Sequence, residues 1–241
     1  MIERSQHIIL CLSVVLIALG CKKVDLTAER SIDLDAFHHV NLDGAYDIYF
    51  QEDTAFYIEM TGDAAKIEGV VANVSNDTLL LTRETKRDWL TPRRNNVSII
   101  IHSEPLSSIT ANETCNMKTV NPITSDEIEF VFKSKAQFAD LELDCNIFFY
   151  WNQPPVGGTL DLRGSANQLK IWNTAITSID AQNLQVSDYC IVENDSKGDC
   201  IVNISGKLEY KITDEGNIQA YGSPNIIQEL GDTGEGELIL H

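Results

Sequence analysis

From residue 37 onward the chain alternates apolar and polar residues with period two, and after Cys21 no helical period persists for ten residues. The alternation predicts strands at His39-Val40-Asn41-Leu42, Asp47-Ile48-Tyr49-Phe50, Phe56 to Met60, Thr78 to Leu81 and Val97 to Ile101. Between them stand Asp43-Gly44, Thr61-Gly62-Asp63 and Ser75-Asn76-Asp77, residue types that tolerate tight backbone conformations. A single helical turn fits between Asp63 and Gly69. The pattern predicts an all-β protein.

Beyond residue 105 the strands repeat. Taking Glu113, Ser134, Asn152, Asn173, Asn194, Asp214 and Asp232 as markers gives gaps of 21, 18, 21, 21, 20 and 18 residues. Two positions before the markers stand Ala111, Phe132, Tyr150, Ile171, Val192, Ile212 and Leu230. Four positions before them stand Ile109, Phe130, Phe148, Leu169, Cys190, Tyr210 and Gln228. Residues two apart on a strand share a face, so these columns point one way, and all but Gln228 suit a core. A period near twenty fits one coil of a solenoid, whose coils bury their inner faces by stacking about 4.8 Å apart. The predicted architecture is a single-stranded β-helix with coils of about 20 residues, preceded by N-terminal β-strands. Right-handed winding follows from the general crossover preference, not from the spacing. A sandwich of antiparallel hairpins is the competing arrangement, and the recurrence of the apolar columns favours the solenoid.

The first residues read differently. Arg4, the apolar run Ile8 to Leu19 and the pair Gly20-Cys21 form a cleavable export signal, too short in its apolar part to span a bilayer. Ala18-Leu19-Gly20-Cys21 resembles a bacterial lipobox, with Ala18 where Leu is usual. The expected division is a signal peptide over residues 1–20, a lipidated N-terminus and linker over 21–35, and a β-helical domain over 36–241. Cys21 would then anchor the chain to the membrane, in the cell envelope as an outer-membrane lipoprotein facing the periplasm or the surface.

Residues 1–20 contain one Glu and one Arg, so the exported part keeps the formal charge of −18. That balance argues against nucleic acid and against adhesion to anionic headgroups. Of the remaining cysteines, Cys115, Cys145, Cys190 and Cys200 show no CxxC spacing and no neighbouring histidine, which argues against zinc. Free buried thiols, or at most one disulfide, are expected.

Two constellations stand out. Asn152, Asn173 and Asn194 recur at coil spacing, and stacked asparagines satisfy backbone groups at a bend, a structural polar ladder. Trp151 and Trp172 fall one position before successive markers, on the outer face with Phe149 and Lys170. Such a platform suits a glycan or a protein partner, unless the N-terminal strands or a second copy cover it. Acidic residues follow at Asp195, Asp214, Glu215, Asp232 and Glu235, but no calcium motif frames them, and no metal is assigned. No GxSxG, HExxH, P-loop or dinucleotide fingerprint is present. The exported part has four histidines, His38, His39, His102 and His241. No catalytic residue, no enzymatic activity and no cofactor is therefore expected.

The chain also resembles a family, the putative auto-transporter adhesin head domain (GIN domain) of Bacteroidetes lipoproteins. The resemblance runs from Phe37 to Leu240. It opens on Phe37-His38-His39-Val40-Asn41-Leu42-Asp43-Gly44-Ala45-Tyr46-Asp47-Ile48 and closes on Gly216-Asn217-Ile218-Gln219-Ala220-Tyr221-Gly222-Ser223-Pro224, then Gly234-Glu235-Gly236. It implies a right-handed β-helical fold outside the cytoplasm, with no catalytic residues to carry over. Combined with the export signal, it points to a non-catalytic, lipid-anchored cell-envelope adhesin or scaffold. A polysaccharide-binding, or less readily polysaccharide-cleaving, β-helix using the Trp151/Trp172 face is the alternative.

Overall fold

The computed structural model describes residues 27–84, 97–134 and 136–241, so the export signal and Cys21 lie outside the described residues. In chain order the elements begin with β1 (Thr27–Asp33), β2 (His39–Asp43), β3 (Asp47–Glu52), β4 (Tyr57–Asp63), helix α1 (Ala64–Glu68), β5 (Val70–Ser75), β6 (Thr78–Arg83) and β7 (Val97–Ser103). They continue with β8 (Ser108–Ala111), β9 (Asn116–Thr119), β10 (Glu127–Phe132), β11 (Gln137–Asn152) and β12 (Gly157–Ser196). The last are β13 (Cys200–Ile204), β14 (Lys207–Ile212), β15 (Ile218–Gly222), β16 (Ile226–Asp232) and β17 (Leu238–Leu240). Parallel stacking of these strands makes a β-solenoid with coils about 21 residues apart. The antiparallel sandwich is excluded by that direction: β8, β10, β11 and β12 pair in parallel along one wall, and β9, β11 and β12 along the other.

The coils do not stack in chain order. β2 lies between β6 and β8, and β3 between β7 and β9, all in parallel register. Val40 meets Leu79 on one side and Ile109 on the other, while Ile48 meets Ile99 and Met117. The coil built from β6 and β7 is thus inserted before the first coil of the chain. Antiparallel strands close that end: β4 on β7, β1 on β4, and β5 on β6. Asp63 caps α1 by accepting from the amides of Ala65 and Lys66 at 3.1 and 3.3 Å, which ends β4 where the sequence places one helical turn. Thr61 and Gly62, expected in a turn, instead continue β4 opposite β1. The β5–β6 turn falls at Asn76 and Asp77, whose φ angles of 50° and 63° suit those residue types.

Residues 27–33, expected to belong to a linker, form β1 in full pairing with β4. Ala28 and Ile32 are four residues apart on one strand face and pack against the core. The other residues are polar, and the seven-residue ladder to β4 and a bond from Arg30 to the Ile67 carbonyl hold the segment beside that pair.

The core is a set of columns running through the coils. Leu79, Val40, Ile109, Phe130, Tyr150 and Ile171 stand in register, all at 0–1% exposure. Phe130 stacks on Phe148 at 5.6 Å, and Phe132 meets Tyr150 edge-on at 5.2 Å. Each such side chain contributes about 1.5–3 kcal/mol by leaving water, so stacking, more than any one coil, stabilises the fold.

The marker column is corrected at three coils. Asn152 pairs with Phe132, which pairs with Ala111, and Asn194 pairs with Ile212. Glu113, Ser134 and Asp214 therefore lie two residues past the column, in turns. Ala111, Phe132 and Ile212 hold the column at those three coils, whereas asparagines hold it in the coils between.

An inner asparagine ladder and an outer aromatic wall

Asn152, Asn173 and Asn194 face inward at one corner, at 5%, 0% and 1% exposure. Asn152 Nδ2 donates to Asn173 Oδ1 at 3.2 Å, and Asn173 Nδ2 to Asn194 Oδ1 at 3.0 Å. The same amides reach the backbone that turns the corner. Asn173 Nδ2 donates to the Thr177 carbonyl at 2.8 Å, and Asn194 Nδ2 to the Gly198 and Gly216 carbonyls at 3.1 and 3.0 Å. The amide of Thr174 donates to Asn152 Oδ1 at 2.7 Å. Buried Thr177 and Ser196 complete the network, with Ser196 Oγ donating to the Thr177 carbonyl at 3.1 Å. Sequence reasoning missed these two. The signal was a second polar residue two to four positions after Asn173 and Asn194, whose side chains reach forward to the carbonyls four residues on.

One residue before each ladder position the side chain points outward. Trp151 pairs with Trp172 across adjacent coils, and Phe149 pairs with Lys170. Phe149 meets Trp172 edge-on at 4.7 Å with the rings 86° apart, and Trp172 remains 47% exposed. The structure thus brings together all four outer residues singled out in the sequence. Glu129 and Lys133 join them: Trp151 Nε1 donates to Glu129 Oε1 at 2.7 Å, and Lys133 Nζ lies 5.8 Å from the Trp151 ring centroid. Glu129 was findable, because it stands one coil before Phe149 in the same column. The N-terminal strands add edge-on to the far end of the stack and leave Trp172 open. A rigid aromatic strip flanked by a carboxylate and two lysines can stack on flat apolar surface and hydrogen-bond at its rim.

The other reactive residue types are dispersed. His38 pairs with Asp77 at 2.8 Å, His39 with Ser108 at 2.8 Å, and His241 stacks on Tyr221 at 4.2 Å. His102 is buried between Asp53 and Glu59, its nitrogens 3.4 and 3.7 Å from their carboxylates, and stacks on Tyr57 at 3.9 Å. The four described cysteines are free and buried, and burial pushes the thiols of Cys115, Cys145 and Cys200 up to about 12. Such thiols stay protonated and unreactive at neutral pH. Burial also raises the Asp161 carboxyl, helped by Asp180 and Asp140. Among the described residues no group of three or more His, Cys, Asp or Glu is placed to hold a metal ion, and no helix is long and apolar enough to cross a membrane.

Comparison with known proteins places this architecture. A crystal structure of a putative adhesin from Bacteroides fragilis matches with a TM-score of 0.78 at 20% identity, covering 92% of this chain and 98% of that one. A putative adhesin from Parabacteroides distasonis matches at 0.59 and 16%, covering 90% and 98%. A protein described as a putative lipid binding protein, also from Parabacteroides distasonis, matches at 0.53 and 15%, covering 88% and 96%. At such identities the likeness shows the fold alone. No curated protein matches the chain. Residues 36–224 match the family described as putative auto-transporter adhesin, head GIN domain, and the chain belongs to that family.

Proposed function

We propose that the chain is a non-catalytic, lipid-anchored domain of the cell envelope, an adhesin that uses the outer wall around Phe149, Trp151, Lys170 and Trp172 as its contact surface. The observation that carries this reading is the in-register aromatic strip, held by a rigid solenoid with Trp172 47% exposed. Monomeric proteins seldom leave large aromatic side chains together in water unless something binds there. The anchor rests on Gly20-Cys21 after the apolar run Ile8 to Leu19. Family membership agrees with placement in the envelope.

Carbohydrate is the ligand class the wall fits best. A sugar ring offers an apolar face to Trp172 and hydroxyls to Glu129 and Lys170, and a repeating polymer matches a surface that repeats at coil spacing. The experiment is a glycan-array screen of the purified protein beside its Trp151→Ala/Trp172→Ala variant. Binding that the variant loses supports carbohydrate recognition. A folded protein that binds no glycan leaves the wall to a protein partner.

A further inference from the structure

The two ends of the stack differ. At the end built around β1 and β5, the edge strand β1 carries Glu29, Arg30 and Asp33, and such charges guard an edge against pairing. At the other end, β16 lies on β14 and β17 on β15, and neither has a second neighbour among the described residues. Ile227 continues the column of Leu208, and Leu240 that of Ala220. Leu208 and Ala220 are at 0% and 1% exposure, yet Ile227 and Leu240 stand at 41% and 55%. Ile226 and Leu230 are also exposed. Among the described residues nothing stacks on Ile227 or Leu240, where these two core columns reach the edge of the stack.

The backbone at this end is open too. The Asn225 amide donates to the Gly206 carbonyl and the His241 amide to the Ala220 carbonyl, both at 3.0 Å. In a parallel ladder alternate residues bond to the same neighbour. The amides and carbonyls of Ile226, Gln228, Leu238 and Leu240 therefore turn away from the stack. The sequence from Asn225 to His241 holds Glu229, Asp232, Glu235 and Glu237 and no Lys or Arg.

We infer that this end is a strand-acceptor site for an extended segment of a partner protein in which apolar residues alternate with Lys or Arg. The apolar residues would continue the columns above Ile227 and Leu240, and the bases would face the three glutamates. Charge selects this occupant over a second copy. Two copies meeting end to end would gather eight carboxylates, four from each, with no Lys or Arg in either last coil, in a chain of formal charge −18.

The test uses the whole protein in detergent and a labelled twelve-residue peptide of alternating valine and lysine, followed by fluorescence anisotropy. One-to-one binding that weakens as salt rises is expected, with no binding of a valine–glutamate peptide. Gln228→Pro removes an outward amide without breaking the β14 ladder, and an unchanged melting temperature verifies its fold. It should weaken the lysine peptide at least tenfold, and Glu237→Lys should weaken it severalfold. Equal binding to the Gln228→Pro protein would mean diffuse attraction to an acidic surface and overturn the inference. So would absence of binding at low salt, or a dimer in sedimentation that Gln228→Pro dissociates.

Discussion

Asn173 sits at 0% exposure and links both neighbouring coils through one carboxamide. Truncating it removes one of two donors to the Thr177 carbonyl, the asparagine donor to Asn194 Oδ1 and one acceptor of Asn152 Nδ2, all inside the core. Asn173→Ala should cost about 3 kcal/mol, read as a lower urea midpoint. Trp172→Ala, at a half-exposed position, should cost about 1 kcal/mol or less. Equal losses at the two positions would contradict the assignment of inner ladder and outer wall. The thiols give a second prediction. Burial raises Cys115, Cys145 and Cys200 from 9.0 to about 12 in the folded chain, so the native state holds protons that the unfolded state releases. Their contribution to stability is complete below pH 9 and is lost as pH rises from 9 through 12. Denaturation midpoints should fall across that window, and a thiol reagent at pH 8 should find these cysteines only after unfolding. Both constellations were legible because asparagine and tryptophan recur at one spacing. The shifted positions at Glu113, Ser134 and Asp214 were not, because a polar residue in a turn and one in a core column look alike in a one-dimensional pattern.

The elements depend on close backbone approach between coils. Gly158, with φ at +125°, opposes Gln137 in the ladder, and a Cβ there would stand 1.8 Å from the Gln137 carbonyl oxygen. Gly158→Ala should therefore cost about 3 kcal/mol or more through strain and displacement of the rung, measured by thermal unfolding. A cost below about 1 kcal/mol would mean that β11 and β12 do not pack as described. Strand positions such as Val40, Ile48 and Leu79 were legible, since alternation records which face is buried. The stacking order was not. β2 and β6 have the same alternation, and nothing in either says that the later one lies beneath the earlier. The role of β1 was hidden for a related reason, because only Ala28 and Ile32 of its residues reach the core.

At the scale of the molecule, the fold is a rod of stacked apolar columns under a surface of formal charge −18. Self-repulsion at low ionic strength should make moderate salt raise the melting temperature slightly, since surface charges are screened within about 10 Å at 0.1 M. Under the proposed function the solenoid holds Phe149, Trp151 and Trp172 in register on one wall, with Trp172 47% exposed. The most direct measurement is calorimetric titration of the strongest glycan from the array into wild type, Trp172→Ala and Gln219→Ala, the last a change on a different wall. A loss of about 10- to 30-fold is expected for Trp172→Ala, as when an aromatic anchor is truncated, with unchanged affinity for Gln219→Ala. Equal affinity in all three proteins, or a loss at Gln219 alone, would contradict the proposed function.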